Sequence, residues 1–177
     1  MNLIVCPLAE LDIALTARPS HVLSLLSPDA QAPNIDTTNR LLLRFNDIVA
    51  PQDGLTPPGS ADIETLIDFA RGWHGPAPLL AHCWAGISRS TAAAYIIACL
   101  HHAPGTEREL ARLLRRAAPE ATPNKLMIAL ADEILQRDGQ MTQAIAAIGR
   151  GREAGSGSLF TLEWQDRQAA FRNRGKC

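Results

Sequence analysis

The chain has 177 residues, of which 46% are hydrophobic and 20% are charged, so its composition is that of a folded domain and excludes wholesale disorder. The formal net charge of -1 excludes an overall basic field for a nucleic-acid backbone, and no stretch has the apolar length of a membrane span or signal peptide. The four cysteines lie too far apart for a disulfide scaffold or a zinc ribbon, so we expect a cytoplasmic protein without a bound metal or cofactor. From the charge and the short apolar stretches we expect neither nucleic acid nor membrane as a partner.

Strand and helix patterns alternate along the first half of the chain. Three short apolar runs predict strands, at residues 3–6, 21–26 and 41–45. The apolar spacing of residues 8–17 predicts a helix after the first of these strands. An irregular connection rich in Pro and Gly follows the third, at residues 46–59. Residues 60–71 then predict a helix that begins at a capping serine.

The second half of the chain is mainly helical after one strand. Residues 79–82 predict a buried central strand. After a loop of small residues, residues 91–100 are apolar on every side, which predicts a buried helix. Three further helices are predicted, at residues 106–114, 123–135 and 141–148.

This alternation predicts an α/β fold with a central, mostly parallel sheet of four to five strands flanked by helices. We assign residues 1–149 to one compact domain. Residues 150–177 begin with a Gly/Ser-rich stretch and continue without a clear helical or strand periodicity of apolar residues. We therefore expect a flexible link and a C-terminal tail.

The segment between the central strand and the buried helix carries the chemistry. It reads His82-Cys83-Trp84-Ala85-Gly86-Ile87-Ser88-Arg89-Ser90. The loop amides from Trp84 to Arg89 can turn inward as an anion cradle at a helix N-terminus, and Gly86 permits the tight turn. The Arg89 guanidinium adds a fork of donors that matches two oxygens of a tetrahedral anion. Because such a cradle also stabilises a thiolate, we predict a phosphate site with the nucleophilic sulfur of Cys83 beneath it.

This segment matches the signature His-Cys-x5-Arg-Ser/Thr, and the chain resembles the cysteine-dependent protein tyrosine and dual-specificity phosphatases, its small size pointing to the compact dual-specificity-like group. The resemblance implies a phosphate loop between the central strand and the buried helix. It implies that Cys83 forms a phosphocysteine, that Arg89 binds phosphate and stabilises the transition state, and that Ser90 helps the thiolate to leave. By the same resemblance His82 braces the loop. Asn124, which opens a later helix, either hydrogen-bonds near the loop or caps its helix.

The reaction also needs a general acid, which the resemblance places on a loop ahead of the signature. Asp47 and Asp53, 36 and 30 residues before Cys83, are the candidates. We favour Asp47, because we expect the third strand to lie beside the strand that leads to Cys83, so that a residue just past its end reaches the same sheet edge. Asp53 precedes Gly54, where an aspartate commonly forms a turn. The sequence before Asp47 departs from the Trp-Pro-Asp of tyrosine-specific members, which leaves the choice open.

These features predict a hydrolase of phosphomonoesters whose favoured partner is a protein carrying phosphotyrosine, with phosphoserine and phosphothreonine as further substrates. Three alternatives stay open: a phosphoinositide or other non-protein phosphatase, a phosphate-binding module without catalysis, and a sulfur-transfer or arsenate-reducing enzyme. The uncharged loop residues disfavour the lipid substrate. The intact Cys83, Arg89 and Ser90 disfavour the module without catalysis. No metal is required, because Arg89 and the loop amides would stabilise the transferred charge.

Overall fold

The computed structural model describes residues 1–37, 39–74 and 76–164, in which one five-stranded sheet forms the centre. The strands are β1 (Asn2–Pro7), β2 (His21–Leu26), β3 (Arg40–Arg44), β4 (Leu79–Cys83) and β5 (Phe160–Glu163). They lie in the order β3-β2-β4-β1-β5. β1 to β4 are parallel, and β5 pairs antiparallel with β1. The α/β class and the mostly parallel sheet predicted from the sequence are thus confirmed.

Six α-helices surround the sheet within the described ranges. They are α1 (Leu11–Leu15), preceded by a 3-10 turn (Leu8–Glu10), α2 (Ser60–Arg71), α3 (Arg89–Leu100), α4 (Glu107–Ala117), α5 (Lys125–Ile134) and α6 (Gln140–Ile148). Helices α2 to α6 share the main apolar core on one face of the sheet, and α1 packs on a smaller core on the other face. None of the helices in these ranges is long and apolar enough to cross a membrane.

Helix α3 is the buried centre of the helical layer. Every residue from Arg89 to Cys99 is buried, as predicted from a segment that is apolar on all sides. The helix contacts β4 and also packs against α2, α4 and α5. Because α3 is enclosed on all sides, its first turn is held in a fixed place at the carboxyl end of β4.

The position of β3 differs from the sequence prediction. We expected this strand beside the strand that leads to Cys83, but β2 lies between them and β3 is at the edge of the sheet. Its half-buried leucines, Leu41 and Leu42, fit an edge position. The pairing with β2 extends one residue beyond β3, since the Phe45 amide donates to the Leu26 carbonyl at 3.0 Å. The Phe45 carbonyl in turn accepts from Arg89, so the chain after β3 still reaches the carboxyl end of β4.

The C-terminal segment also differs from the predicted link and tail. Phe160 and Leu162 are buried in the main core, and β5 completes the sheet beside β1. The four residues of β5 follow a Gly/Ser-rich stretch, and their alternation of apolar and polar residues is too short to predict a strand. Residues 165–177 of the expected tail lie outside the described residues.

Replacement of Leu162 by alanine tests whether β5 is part of the folded core. Leu162 is buried, so the substitution should lower the free energy of unfolding by about 2–4 kcal/mol. Glu163→Ala, on the exposed neighbouring residue of the same strand, should change it by less than about 0.5 kcal/mol. Urea unfolding measures both. Equal stabilities of the two variants would contradict the packing of β5.

Candidate active site

The predicted phosphate loop joins the central strand to the buried helix. Cys83 is the last residue of β4 and Arg89 is the first residue of α3, and both side chains are buried. β4 lies between β1 and β2, so the loop emerges at the middle of the carboxyl edge of the parallel strands. In α/β sheets this edge is where ligands bind.

Three carbonyl groups of this loop point outward, where backbone amides of three distant segments donate to them. These bonds run from Leu8 to Trp84 (3.1 Å), from Gly157 to Ala85 (2.8 Å) and from Thr122 to Ile87 (2.9 Å). In a planar trans peptide the carbonyl and the following N–H point in opposite directions. The amides of Ala85, Gly86 and Ser88 therefore face the inside of the loop, as an anion cradle requires.

Gly86 is the tightest position of the loop. Its φ of +70° lies in the left-handed region, and a Cβ there would lie 2.6 Å from the backbone nitrogen of Pro7. Any larger residue would push the loop away from the end of β1. The glycine predicted for a tight turn is thus required by both conformation and close packing.

Two donors lie against the sulfur of Cys83. The Gly86 N–H donates to Sγ at 3.3 Å, and the Ser90 hydroxyl lies 3.1 Å from Sγ. Both groups can donate to a thiolate, and the Ser90 hydroxyl can donate to it again as a leaving group. The sulfur is therefore held in a polar cradle although it is buried.

Arg89 is oriented by the residues that directly follow β2 and β3. Its Nη1 donates to the Phe45 carbonyl at 2.9 Å and lies 3.4 Å from the Ser27 hydroxyl. Its buried Nε has no hydrogen-bond partner among the described residues and lies 3.9 Å from Oδ2 of Asp47. A buried donor of this kind is available to an oxygen of a bound anion.

His82 lies behind the nucleophile rather than in the cradle. Its Nε2 and the Ser24 hydroxyl lie 2.7 Å apart, which ties β4 to β2. Burial, followed by the nearby Arg40 cation, lowers the pKa of His82 to about 4. The ring is therefore neutral at pH 7, and its geometry fits the bracing role that the resemblance implies.

Asp47, and not Asp53, is brought to the phosphate loop. Oδ1 of Asp47 accepts hydrogen bonds from the Ser88 hydroxyl at 2.7 Å and from the Asn124 side-chain amide at 2.8 Å. Asp53 is exposed in a turn closed by the Leu55 amide, which donates to the Gln52 carbonyl. This placement agrees with the favoured candidate, whose role as general acid stays a prediction.

Asn124 performs both of the functions that the sequence left open. Its Oδ1 accepts from the amides of Leu126 and Met127, each at 3.1 Å, and so caps α5. Its Nδ2 donates to Asp47 and also to the Ile48 carbonyl at 3.2 Å. Neither this bond to Asp47 nor the bond from Ser88 is predictable from the sequence, since no local pattern connects residues so far apart.

The other cysteines near the core are poor nucleophiles. Burial is the main cause that raises the pKa of both Cys6 and Cys99 to about 12. Among the described residues, no three His, Cys, Asp or Glu side chains come close enough together to hold a metal ion.

Comparison with solved structures identifies the fold. The crystal structure of DUSP15 matches with a TM-score of 0.52 and 18% identity, over 82% of this chain and 89% of that chain. The Yvh1 phosphatase domain from Chaetomium thermophilum matches with a TM-score of 0.55 and 16% identity, over 78% and 93% of the two chains. Tk-PTP in its active form matches with a TM-score of 0.50 and 21% identity, over 76% and 90%. The chain has a tyrosine-phosphatase-like fold.

No protein-family model and no curated protein sequence matches the chain. The phosphatase-like fold is therefore recognised through the arrangement of its sheet and helices, and the signature around Cys83 sits at the strand-to-helix junction described above.

Selective alkylation tests which thiol of this phosphatase-like fold is activated. Iodoacetate at neutral pH should modify Cys83 before Cys6 and Cys99, because the cradle stabilises negative charge on Cys83 whereas burial raises the pKa of the other two thiols to about 12. Mass spectrometry of peptides, sampled over time, gives the order. Modification of Cys99 first would contradict the assignment.

Two substitutions separate the two functions of Asn124. Serine keeps an oxygen that caps α5 but removes the amide that donates to Asp47, whereas alanine removes both. We expect turnover of p-nitrophenyl phosphate to fall about 10-fold in each variant, because Asp47 loses a positioning contact. Only Asn124→Ala should also lose about 1 kcal/mol of unfolding free energy. Wild-type turnover in Asn124→Ser would show that the contact does not position Asp47.

Proposed function

We propose that the chain is a phosphatase that hydrolyses phosphomonoesters through a phosphocysteine on Cys83. The observation that carries the proposal is the buried sulfur of Cys83, which accepts from the Gly86 N–H at 3.3 Å and lies 3.1 Å from the Ser90 hydroxyl. The loop that begins at this sulfur ends at Arg89, whose buried Nε has no hydrogen-bond partner among the described residues. This set matches the charge and shape of a phosphoryl group in transfer. It needs no cofactor and no metal.

In the first step the Cys83 thiolate attacks phosphorus. The S–P bond forms as the P–O bond to the leaving group breaks, and the loop amides and Arg89 bind the non-bridging oxygens. Asp47 transfers its proton to the departing oxygen. Because Oδ1 of Asp47 already accepts two hydrogen bonds, Oδ2, on the side of Arg89, is the oxygen that carries the proton.

In the second step a water molecule attacks the phosphocysteine. Asp47, now ionised, takes a proton from the water as the new P–O bond forms, and the S–P bond breaks. The Ser90 hydroxyl, 3.1 Å from Sγ, donates to the sulfur as it leaves with a negative charge. Phosphate is released, and Asp47 is again protonated for the next cycle.

We propose phosphotyrosine in proteins as the favoured substrate, and phosphoserine or phosphothreonine as further substrates. The loops around the site carry exposed apolar side chains: Trp84 is 68% exposed, Val49 56% and Leu55 41%. The aromatic ring of a substrate gains binding free energy by packing against such apolar side chains. Residues 84–88 contain no Lys or Arg to bind further phosphates, which disfavours inositol polyphosphates.

A thiolate nucleophile also requires a reducing compartment, so we propose that the substrates of this protein are cytoplasmic.

Replacement of Cys83 by serine tests the nucleophile. The cradle and Arg89 remain, but a serine hydroxyl is not ionised at neutral pH, so turnover should be abolished while tungstate still binds. Phosphate release and isothermal titration calorimetry measure the two properties. Comparable turnover in both proteins would refute the phosphocysteine, and absence of turnover in the wild type would leave a phosphate-binding module.

The substrate class is tested by assaying the wild-type protein with a panel of phosphotyrosine peptides, inositol phosphates and nucleotides, and by ranking the turnover of each class.

The general acid is tested with a matched pair of substitutions. Asp47→Asn should lower kcat by about 10²–10⁴ with an alkyl or phenyl phosphate, and less with an aryl phosphate whose leaving group needs no proton. Asp53→Asn, in the exposed turn, should retain the wild-type kcat. Steady-state kinetics with both substrate types decides. The reverse pattern would transfer the role to Asp53.

A further inference from the structure

A segment outside the predicted phosphatase domain lies across the outer surface of the phosphate loop. Residues 149–159, here called the strap, connect α6 to β5. The strap is held along its length by hydrogen bonds to other parts of the chain. They run from Gly151 N to Thr122 Oγ1 (3.1 Å), from Arg152 N to the Pro119 carbonyl (2.9 Å) and from Leu159 N to Glu10 Oε2 (2.6 Å). The strap therefore has a defined path, although its composition is that of a flexible link.

The strap contacts the phosphate loop at one carbonyl group. The Gly157 amide donates to the Ala85 carbonyl at 2.8 Å. The Ser156 hydroxyl lies 3.3 Å from the same oxygen and 3.2 Å from the Gly157 carbonyl, and its single proton can be donated to one of the two. The contact leaves no room for a side chain, since a Cβ on Gly157 would lie 2.9 Å from the Gly86 carbonyl oxygen. Gly157 itself is buried.

The peptide unit held by the strap is the one that faces the nucleophile. The Ala85 carbonyl and the Gly86 N–H belong to one planar unit, and they point in opposite directions. The N–H end donates to Cys83 Sγ at 3.3 Å. A donor on the oxygen end fixes the rotation of this unit and polarises its N–H, which strengthens the bond to the sulfur.

We propose that Gly157 is a positioning residue, which orients the Ala85–Gly86 peptide so that its N–H stabilises the thiolate of Cys83. The strap thus contributes to the geometry of the active site. Glycine is needed at position 157 because the strap must approach the loop backbone closely. The effect on turnover rests on the proposed phosphatase function, whereas the effect on the thiolate does not.

Two alanine substitutions in the strap form a matched test. Gly157→Ala should push the strap off the loop. Gly155→Ala makes the same chemical change two residues away, where a Cβ would meet nothing within 4 Å. In Gly157→Ala we expect iodoacetate at neutral pH to alkylate Cys83 about 10-fold more slowly than in the wild type. In Gly155→Ala, Cys83 should be alkylated at the wild-type rate. With p-nitrophenyl phosphate, kcat should fall about 10-fold in Gly157→Ala with little change in KM, because the lost bond acts on the sulfur.

Thermal unfolding accompanies both variants, to show that β5 and the core remain folded. Equal alkylation rates in Gly157→Ala and Gly155→Ala would overturn the proposal, whatever the turnover of the wild type. Slow alkylation in Gly157→Ala together with an inactive wild type would support the positioning and refute the phosphatase.

A second variant covers the case in which Gly157→Ala does not fold. Ser156→Ala removes, at an exposed position, the hydroxyl that lies 3.3 Å from the Ala85 carbonyl and 3.2 Å from the Gly157 carbonyl, and it adds no atoms. Iodoacetate should alkylate Cys83 of this variant about twofold more slowly than Cys83 of the wild type, and the melting temperature should be unchanged. An unchanged alkylation rate would then overturn the proposal.

Discussion

The outward hydrogen bonding of the phosphate loop is the constraint on which the site depends. Five residues between a strand and a helix cannot satisfy their own carbonyls while their amides face inward. Leu8, Thr122 and Gly157, from three separate parts of the chain, provide the donors. Each of these segments is itself anchored in the fold: at the end of β1, before α5 and before β5. The anion cradle is therefore a product of the tertiary structure, although its sequence is local.

The parts of this protein that the sequence predicted are those with a local physical signal. Helix α3 was predicted because a run of apolar residues on all sides of a helix must be buried. Cys83 and Arg89 were predicted because they flank a loop of small residues at a strand-to-helix junction, and because their spacing matches the signature of the cysteine-dependent phosphatases. Gly86 was predicted from the turn, and the structure adds the contact with Pro7 that makes glycine obligatory there.

The parts that the sequence could not predict depend on pairings between distant residues. Asp47 was favoured on the expectation that β3 adjoins β4, and that expectation was wrong. It lies at the loop because its carboxylate accepts hydrogen bonds from Ser88, 41 residues later, and from Asn124, 77 residues later. The strap was predicted as a flexible link, since glycine and serine suit flexible chain and close backbone packing equally well.

The position of the strap also has a consequence for the order in which this molecule is built. A ribosome delivers Cys83 and the whole loop before it delivers Gly157, and until then the Ala85 carbonyl has no strap donor and the outer edge of β1 has no partner strand. An unpaired strand edge can pair with another chain. The same late segment supplies both missing partners, so the donor to the Ala85 carbonyl and the partner strand of β1 are added together, and β5 becomes the edge of the sheet on that side. The topology therefore couples completion of the loop to the pairing of β1.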